Sequence, residues 1–427
     1  MKLSILPSVL ATLGALAQLA AAAGRKACNL RPLGGGKDDT TQVEAAIASC
    51  GQYGTTVFDQ GSYNITRKMK WDLLSSRVDL KGYLNFNPNI DYWMNSNNTY
   101  RAIFIQSLVA TSSSMPINTG GIQGNGQKWW SYFANRTRQD GDGRPVALSL
   151  VNVTGGVVRN FRIESPPFWA NAVSQSSNVT YDGMLTNATN TDPLWAGQNV
   201  TPNTDGINTY RSDFVTLRNW DITCGDDCLA IKGPSNATKN SSDVIAHNIT
   251  CRGGNGLAFG SLGQYAELVD TVRNVDLKDI FSPLNSSPKM TRIDKKLQPN
   301  MRWGIYFKSW SGSISGTPPT GGGGGSGYVR NVTVRNVVVD QVDAPIFLHH
   351  NSGSIPSKMT YSNVTFSNFT GTATTNKIVE LSCGNGPACT DITFEKINVT
   401  APAGLTPQYI CSNAADIKGL SGSCSGI

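Results

Sequence analysis

Seven short runs along this chain repeat one pattern of apolar and polar positions. They are Val157-Val-Arg-Asn-Phe-Arg-Ile163, Val215-Thr-Leu-Arg-Asn-Trp-Asp-Ile222, Val244-Ile-Ala-His-Asn-Ile249, Val275-Asp-Leu-Lys-Asp-Ile280, Val332-Thr-Val-Arg-Asn-Val337, Val364-Thr-Phe-Ser-Asn-Phe369 and Ile392-Thr-Phe-Glu-Lys-Ile397. Each begins on an aliphatic residue, alternates, usually passes through Asn or Asp, and closes on another apolar residue. Alternation with period two predicts β-strands. Each run is too short to bury a core of its own. The runs recur about every 25–35 residues, with one wider gap, which is a period at which stacked repeats share a continuous core. A β-sandwich also uses short alternating strands, but it does not explain the fixed phase of the Asn. The pattern therefore predicts an all-β, single-domain, right-handed parallel β-helix. The Asn or Asp of each run suits a left-handed turn residue or a side-chain ladder.

One helix is predicted, at Thr41 to Cys50, where Val43, Ala46, Ile47 and Cys50 share a face. Ahead of a run of strands it would cap one end of the stack, which otherwise exposes core and unpaired strands. Gly321 to Gly327 is glycine-rich enough for an interdomain linker. The repeat resumes in phase at Val332, so the stretch reads as a flexible loop between coils. The β-helix is expected to span residues 24–427.

Residues 1–23 read as a signal peptide: Lys2, then an apolar run from Leu3 to Leu19, then small residues from Ala20 to Gly24. The alternative, a membrane anchor, needs a longer apolar run. The expected location is extracellular. Nine cysteines fit export, and local pairing suggests Cys28–Cys50, Cys228–Cys251, Cys383–Cys389 and Cys411–Cys424, with Cys224 left over. Sequence does not settle connectivity. Roughly fifteen Asn-x-Ser/Thr sequons fit a glycoprotein. Several sit in Asn-Val-Thr strand patterns (Asn152, Asn178, Asn331, Asn363), so some of the sequons read as structural asparagines without glycan.

The formal charge of +7 suits a polyanionic partner. No basic run is interleaved with aromatics, so nucleic acid is not expected. No membrane partner is expected, and the chain reads as a monomer. No cysteine spacing matches zinc, and with three His in the chain no metal chemistry is expected.

The chemistry concentrates between Asn203 and Cys228. Asp205 lies in Asn-Thr-Asp-Gly, and Asp226 and Asp227 lie in Gly-Asp-Asp-Cys, with one strand, Phe214 to Ile222, between them. The gap is about twenty residues, close to one coil of a stacked repeat. One coil would bring the three carboxylates together. Glycoside cleavage by inversion needs a protonated acid and a base about 6.5–9.5 Å apart. Mutual repulsion would keep one carboxyl protonated. Taken singly, Asn-Thr-Asp-Gly also reads as an Asx turn, and Gly-Asp-Asp-Cys as a turn or a Ca²⁺ ligand pair.

With these residues in place, the chain resembles glycoside hydrolase family 28, the polygalacturonases. Further matching pieces are Gly124-Asn-Gly-Gln-Lys-Trp-Trp130, Ser165-Pro-Pro-Phe-Trp169, Gly253-Gly-Asn-Gly256, Gly260-Ser-Leu-Gly-Gln-Tyr265 and Tyr306-Phe-Lys308. The resemblance implies a parallel β-helix that hydrolyses pectin with inversion and no cofactor. It implies Asp226 as general acid, and Asp205 and Asp227 as the pair that activates water. Asn203, Asn255, Tyr306, Lys308 and Lys232 are the expected substrate contacts, Lys308 as a carboxylate partner. Lys232 reads equally as a solvated lysine or as a charge partner of the aspartates. Two departures stand out. Asn255 occupies the place of the family's His, and Tyr306 that of its Arg. Neither replaces the chemistry of the original.

Gly260 to Tyr265 resembles the fungal exo-acting branch, whose members remove terminal galacturonate or rhamnose. Exo-galacturonidase is the first expectation and a rhamnohydrolase the second. A non-catalytic carbohydrate-binding β-helix and a Ca²⁺-dependent lyase are the readings from other classes. Exo action calls for a cleft closed at one end, by Trp195 to Val200 or by Gly321 to Gly327. Trp129 and Trp130 read as core or as sugar platforms.

Overall fold

The computed structural model describes residues 26–94, 103–106, 120–136, 143–233, 241–282, 301–318, 320–349, 355–384 and 388–420. The expected leader, residues 1–23, and Cys424 lie outside the described residues. Described strands form a 3-stranded sheet near the start, then a 13-stranded and an 11-stranded sheet. From Ile207 onward successive strands alternate between the two large sheets. Each strand pairs in parallel with the strands one coil before and after it, so the chain is a parallel β-helix. Among the described residues no helix is long and apolar enough to cross a membrane.

The strands that carry the site are β1 (Ile207–Tyr210), β2 (Asp213–Thr223), β3 (Asp227–Lys232), β4 (Ser241–Arg252), β5 (Gly256–Leu262), β6 (Val269–Ser282), β7 (Trp303–Ser309) and β8 (Ser326–Val342). Odd-numbered strands belong to the 11-stranded sheet and even-numbered ones to the 13-stranded sheet. The repeats seen in the sequence align rung on rung. Val215, Val244, Val275, Val332, Val364 and Ile392 are register partners through successive coils. All are buried. Facing them, Ile207, Leu229, Leu257, Ile305, Ile346 and Val379 form a second column. Each buried aliphatic side chain stabilises the stack by about 1.5–3 kcal/mol as an upper bound.

The predicted helix is α1 (Thr40–Cys50). It buries Val43 and Ile47, and Cys50 ties it to Cys28 in the edge strand of the 3-stranded sheet. It therefore covers the first coils, as a cap should. An unforeseen helix, Gly126–Phe133, buries Trp129 and Trp130 almost completely, which makes both core residues and not sugar platforms. The expected disulfides Cys28–Cys50, Cys228–Cys251 and Cys383–Cys389 form, Cys411 is also bonded, and Cys224 is a buried free thiol.

The Asn phase in the sequence has two physical causes at once. Asn160, Asn219, Asn248, Asp279, Asn336 and Asn368 all adopt positive φ, between 49° and 57°. Asn tolerates this left-handed region better than most residues. Their side chains also bond along the stack. Asn248 Nδ2 donates to Asn219 Oδ1 at 2.8 Å, Asn336 Nδ2 to Asp279 Oδ1 at 2.9 Å and Asn368 Nδ2 to Asn336 Oδ1 at 3.0 Å.

The Gly321–Gly327 run departs from expectation. It is largely buried and pinned rather than flexible: Gly323 N donates to Gln264 O at 2.7 Å, and Gly324 N to Ser311 O at 2.8 Å. Its glycines permit backbone to lie directly on backbone.

The two roles of the ladder asparagines are separable at Asn336. Asn336→Gly keeps the left-handed turn and loses the rung; Asn336→Ala loses the rung and retains the strain. Urea unfolding should show Asn336→Ala destabilised by about 1–2 kcal/mol, and Asn336→Gly by less. Equal losses would mean that backbone conformation contributes nothing there.

Candidate active site

Ile207 of β1 is the register partner of Leu229 of β3. Counting back along both strands puts Asp205 beside Asp227, and the Gly206 N–H donates to the Asp227 carbonyl at 3.0 Å. Asp226 precedes β3 on the same turn. One carboxylate oxygen from each of Asp205, Asp226 and Asp227 lies within 4.8 Å of the others. Asp205 and Asp227 are 2% and 0% exposed, while Asp226 is half-buried. The spacing is tighter than the 6.5–9.5 Å expected of an inverting pair.

Backbone closeness fixes the turn. A Cβ on Gly225 would lie 2.1 Å from Thr201 Oγ1, and one on Gly254 (φ 65°) 1.9 Å from the Asp226 carbonyl oxygen. No other residue type fits either position. The Gly225 N–H donates to Thr204 Oγ1 at 2.9 Å, and its carbonyl accepts from Asn199 Nδ2 at 2.7 Å. Cys224, the leftover thiol, donates to the Asp226 carbonyl at 3.2 Å. Burial pushes that thiol well above its ordinary range.

Donors surround the Asp226 carboxylate. Oδ2 accepts from the Asn203 backbone N–H at 3.0 Å and from its Nδ2 at 3.5 Å. Oδ1 accepts from Asn255 Nδ2 and from the Asp227 N–H, both at 2.9 Å. Asn203 and Asn255 thus orient the Asp226 carboxylate. Asn203 is held in turn by Arg144, whose Nη2 donates to Asn203 Oδ1 at 2.8 Å and whose Nη1 donates to the Pro202 carbonyl at 2.9 Å. The buried guanidinium of Arg144 also lies 5.0 Å from the Phe168 ring and 5.3 Å from the Phe133 ring.

Two ammonium groups balance the buried acids. Lys308 of β7 is 2.5 Å from Asp227 Oδ2. Lys232 of β3 is 3.8 Å from Asp205 Oδ2 and 4.4 Å from the Trp169 ring centroid. Lys232 is therefore a buried charge partner and not a solvated lysine. Burial pushes the Asp205 carboxyl well above the usual range, and the nearby Asp226 raises it further against the pull of Lys232. Burial raises Asp227 to about 6, with Lys308 opposing and Asp226 adding to the rise. Burial works against the charge of Lys308, yet the three aspartates outweigh it and raise its pKa. Asp227 Oδ1 is buried with no hydrogen-bond partner. Among the described residues the trio is a cluster with atoms spaced to share a cation. Lys232 and Lys308 already stand against two of its members.

The outward face beyond the trio is small and then aromatic. Ala230 and Ala258 are register partners, and Tyr306 and Phe347 follow on the next rungs. Trp303 packs on Tyr306 at 4.0 Å between centroids and on Phe347 at 5.1 Å. Burial raises the Tyr306 phenol. The Arg302 guanidinium lies 4.3 Å from the Trp303 ring. The sequence assigned no role to Arg144, Trp169 or Arg302. Trp169 had a signal, since it closes Ser-Pro-Pro-Phe-Trp; a single Arg in a loop has none.

A parallel β-helix with three convergent carboxylates, two ammonium groups and an aromatic wall is equipped to cleave glycosidic bonds. The model of glycosyl hydrolases family 28 matches residues 57–296 and 305–424, and the chain belongs to that family. A protein of Aspergillus niger provisionally named galacturan 1,4-alpha-galacturonidase A is 35% identical, with 92% of each chain covered. An exopolygalacturonase of Cochliobolus carbonum is 31% identical, covering 92% of this chain and 85% of the relative. The crystal structure of endo-xylogalacturonan hydrolase from Aspergillus tubingensis has the same fold, with a TM-score of 0.74 at 24% identity over 93% of this chain and all of that one.

Two stability tests follow from the buried charges. Lys308→Met leaves Asp227 buried without its counter-charge and should cost about 3–5 kcal/mol at pH 7. The cost should shrink toward pH 4, where Asp227 takes up a proton; a loss independent of pH would refute the pairing. The Asp227 carboxyl, raised on folding, binds its proton more tightly in the native state, so its contribution is present at low pH and is lost as pH rises from about 4 through 6. Asp227→Asn should flatten that decline.

Proposed function

We propose that this chain is a secreted exo-acting pectin hydrolase that releases terminal galacturonate with inversion. The observation that carries the reading is the carboxylate trio, with Asp227 Oδ1 unpartnered inside it. Asp226 is the most exposed of the three and the best placed to reach a glycosidic oxygen. We assign it the general acid. Asp205 and Asp227 hold and deprotonate the water. With three carboxylates against two ammonium groups, the trio retains a proton at pH values where free carboxyls have lost theirs. That proton is the one the leaving oxygen receives. Because the oxygens are so close, the water is held beside the trio by Asp205 and Asp227 Oδ1, and not between two separated acids. Inversion is supported by family membership, not by spacing.

Galacturonate is favoured over rhamnose by positive charge. Rhamnose is neutral and needs no cation. Tyr306 replaces the family's Arg, but Arg302 stands four residues earlier, on the Trp303 ring, with no carboxylate partner among the described residues. Its backbone N–H donates to the Gly254 carbonyl at 2.8 Å, which ties it to the turn carrying Asn255. A planar guanidinium fork suits a sugar carboxylate. The names of the fungal relatives support the same reading. For exo action we assign closure of the cleft to 195–200, anchored on Gly225 through Asn199, and to the pinned Gly321–Gly327 run. The rhamnohydrolase reading is favoured by Tyr306 and Asn255, which depart from the galacturonate pattern.

Incubation with polygalacturonate and with rhamnogalacturonan oligomers, followed by identification of the first product, decides between them. Galacturonate alone, initially as the β anomer by NMR, is expected. Asp226→Asn should lower kcat by about 10²–10⁴-fold. Arg302→Gln should raise KM for polygalacturonate with a smaller change in kcat. Rhamnose as the first product, or an initial α anomer, would overturn the substrate or the stereochemical assignment respectively.

A further inference from the structure

A second line of left-handed residues runs along the 13-stranded sheet: Asn178, Phe214, Asp243, Asn274, Asn331 and Asn363, with φ between 51° and 62°. From Asp243 onward it is a hydrogen-bonded ladder. Asn274 Nδ2 donates to Asp243 Oδ1 at 3.0 Å, Asn331 Nδ2 to Asn274 Oδ1 at 3.1 Å and Asn363 Nδ2 to Asn331 Oδ1 at 3.0 Å. At Phe214 the chemistry changes. A bulky aromatic residue in the left-handed region is an outlier, and such strain persists where the side chain serves a purpose. Phe214 is 58% exposed, with Ile245, 43% exposed, one coil on. The two line an open groove of about 600 Å³ whose remaining walls are mainly polar, including Asn178, Asp243 and Asn274.

Asn178 and Phe214 are on adjacent rungs, because Ser177 pairs with Asp213 and Val179 with Val215. Phe214 offers Asn178 neither donor nor acceptor, so the ladder stops there. Asn178 is exposed and opens the sequon Asn178-Val179-Thr180. The Asn-Val-Thr asparagines therefore divide. Asn331 and Asn363 spend their amides on the ladder, as the sequence suggested; Asn178 does not.

We propose that Asn178 carries an N-linked glycan whose first sugar packs its apolar face on Phe214. This rests on export of the chain, as in the functional reading above. A sugar ring has a C–H face for the aromatic and hydroxyls for the flanking amides and carboxylates, which matches a groove with an apolar floor and polar walls. In the transfer, Asn178 Nδ2 attacks C1 of the sugar on a lipid-linked pyrophosphate donor. The C1–N bond forms, the C1–O bond to pyrophosphate breaks, Nδ2 gives up one proton and the lipid pyrophosphate leaves.

The test uses the full chain behind a yeast secretion leader, so that export is assured. Glycopeptide mass spectrometry should find Asn178 occupied. Thr180→Val removes the sequon and keeps Asn178. It should lower the melting temperature by about 1–3 °C with Phe214 present and leave it unchanged in a Phe214→Gly background. The same cycle in protein from an oxidising host without N-glycosylation should show no coupling. An unmodified Asn178 in the secreted protein, or equal shifts in both Phe214 backgrounds, would overturn the proposal. Neither variant touches the carboxylate trio, so catalytic turnover stands or falls separately.

Discussion

Parallel register is the constraint on which this molecule depends. Once Ile207 is locked opposite Leu229, Asp205 has no freedom except to stand beside Asp227. The same lock stacks valine on valine through the opposite sheet and places one left-handed Asn above the next. A slip of one residue would turn the apolar columns outward and scatter the carboxylates together. Fold and site are therefore specified by one set of contacts.

The site works against the stability of its surroundings. Two carboxyls are almost wholly removed from water, and the stack tolerates them because Lys308 and Lys232 arrive from the outward faces of β7 and β3. The balance is incomplete by one charge. Burial and the neighbouring Asp226 hold the Asp205 and Asp227 carboxyls above the usual range. Arg144, Asn203 and Asn255 form a second layer that orients Asp226. Asn255 donates to Asp226 and, as an amide, holds it in place without carrying a titratable proton of its own.

Glycine serves two opposite ends here. At Gly225 and Gly254 it admits backbone and side chain to within contact of the turn that carries Asp226. At Gly321–Gly327 a composition that suggests flexibility instead yields a tightly pinned segment, because residues without side chains can bond backbone to backbone on both sides.

Much was legible in the chain itself. Alternation at a constant phase determined the β-helix, and the Asn or Asp that closes most of the runs determined left-handed turns and ladder rungs. Val43, Ile47 and Cys50 determined the cap, while local cysteine spacing only suggested the three disulfides that the folded chain forms. One coil between Asp205 and Asp226 determined that the carboxylates meet. These are periodic or short-range features, and period and spacing survive in one dimension. The tertiary structure decided the rest. It set the carboxylate oxygens closer than the expected pair, gave Lys308 to Asp227, and brought Arg144 under Asn203 and Arg302 onto Trp303. It sent Trp129 and Trp130 into the core and left Asn178 beside Phe214 instead of another Asn. The Lys308–Asp227 and Arg144–Asn203 contacts join residues from different coils or loops, at sequence separations that no repeat fixes. They depend on side-chain reach and burial, which only the packed stack defines.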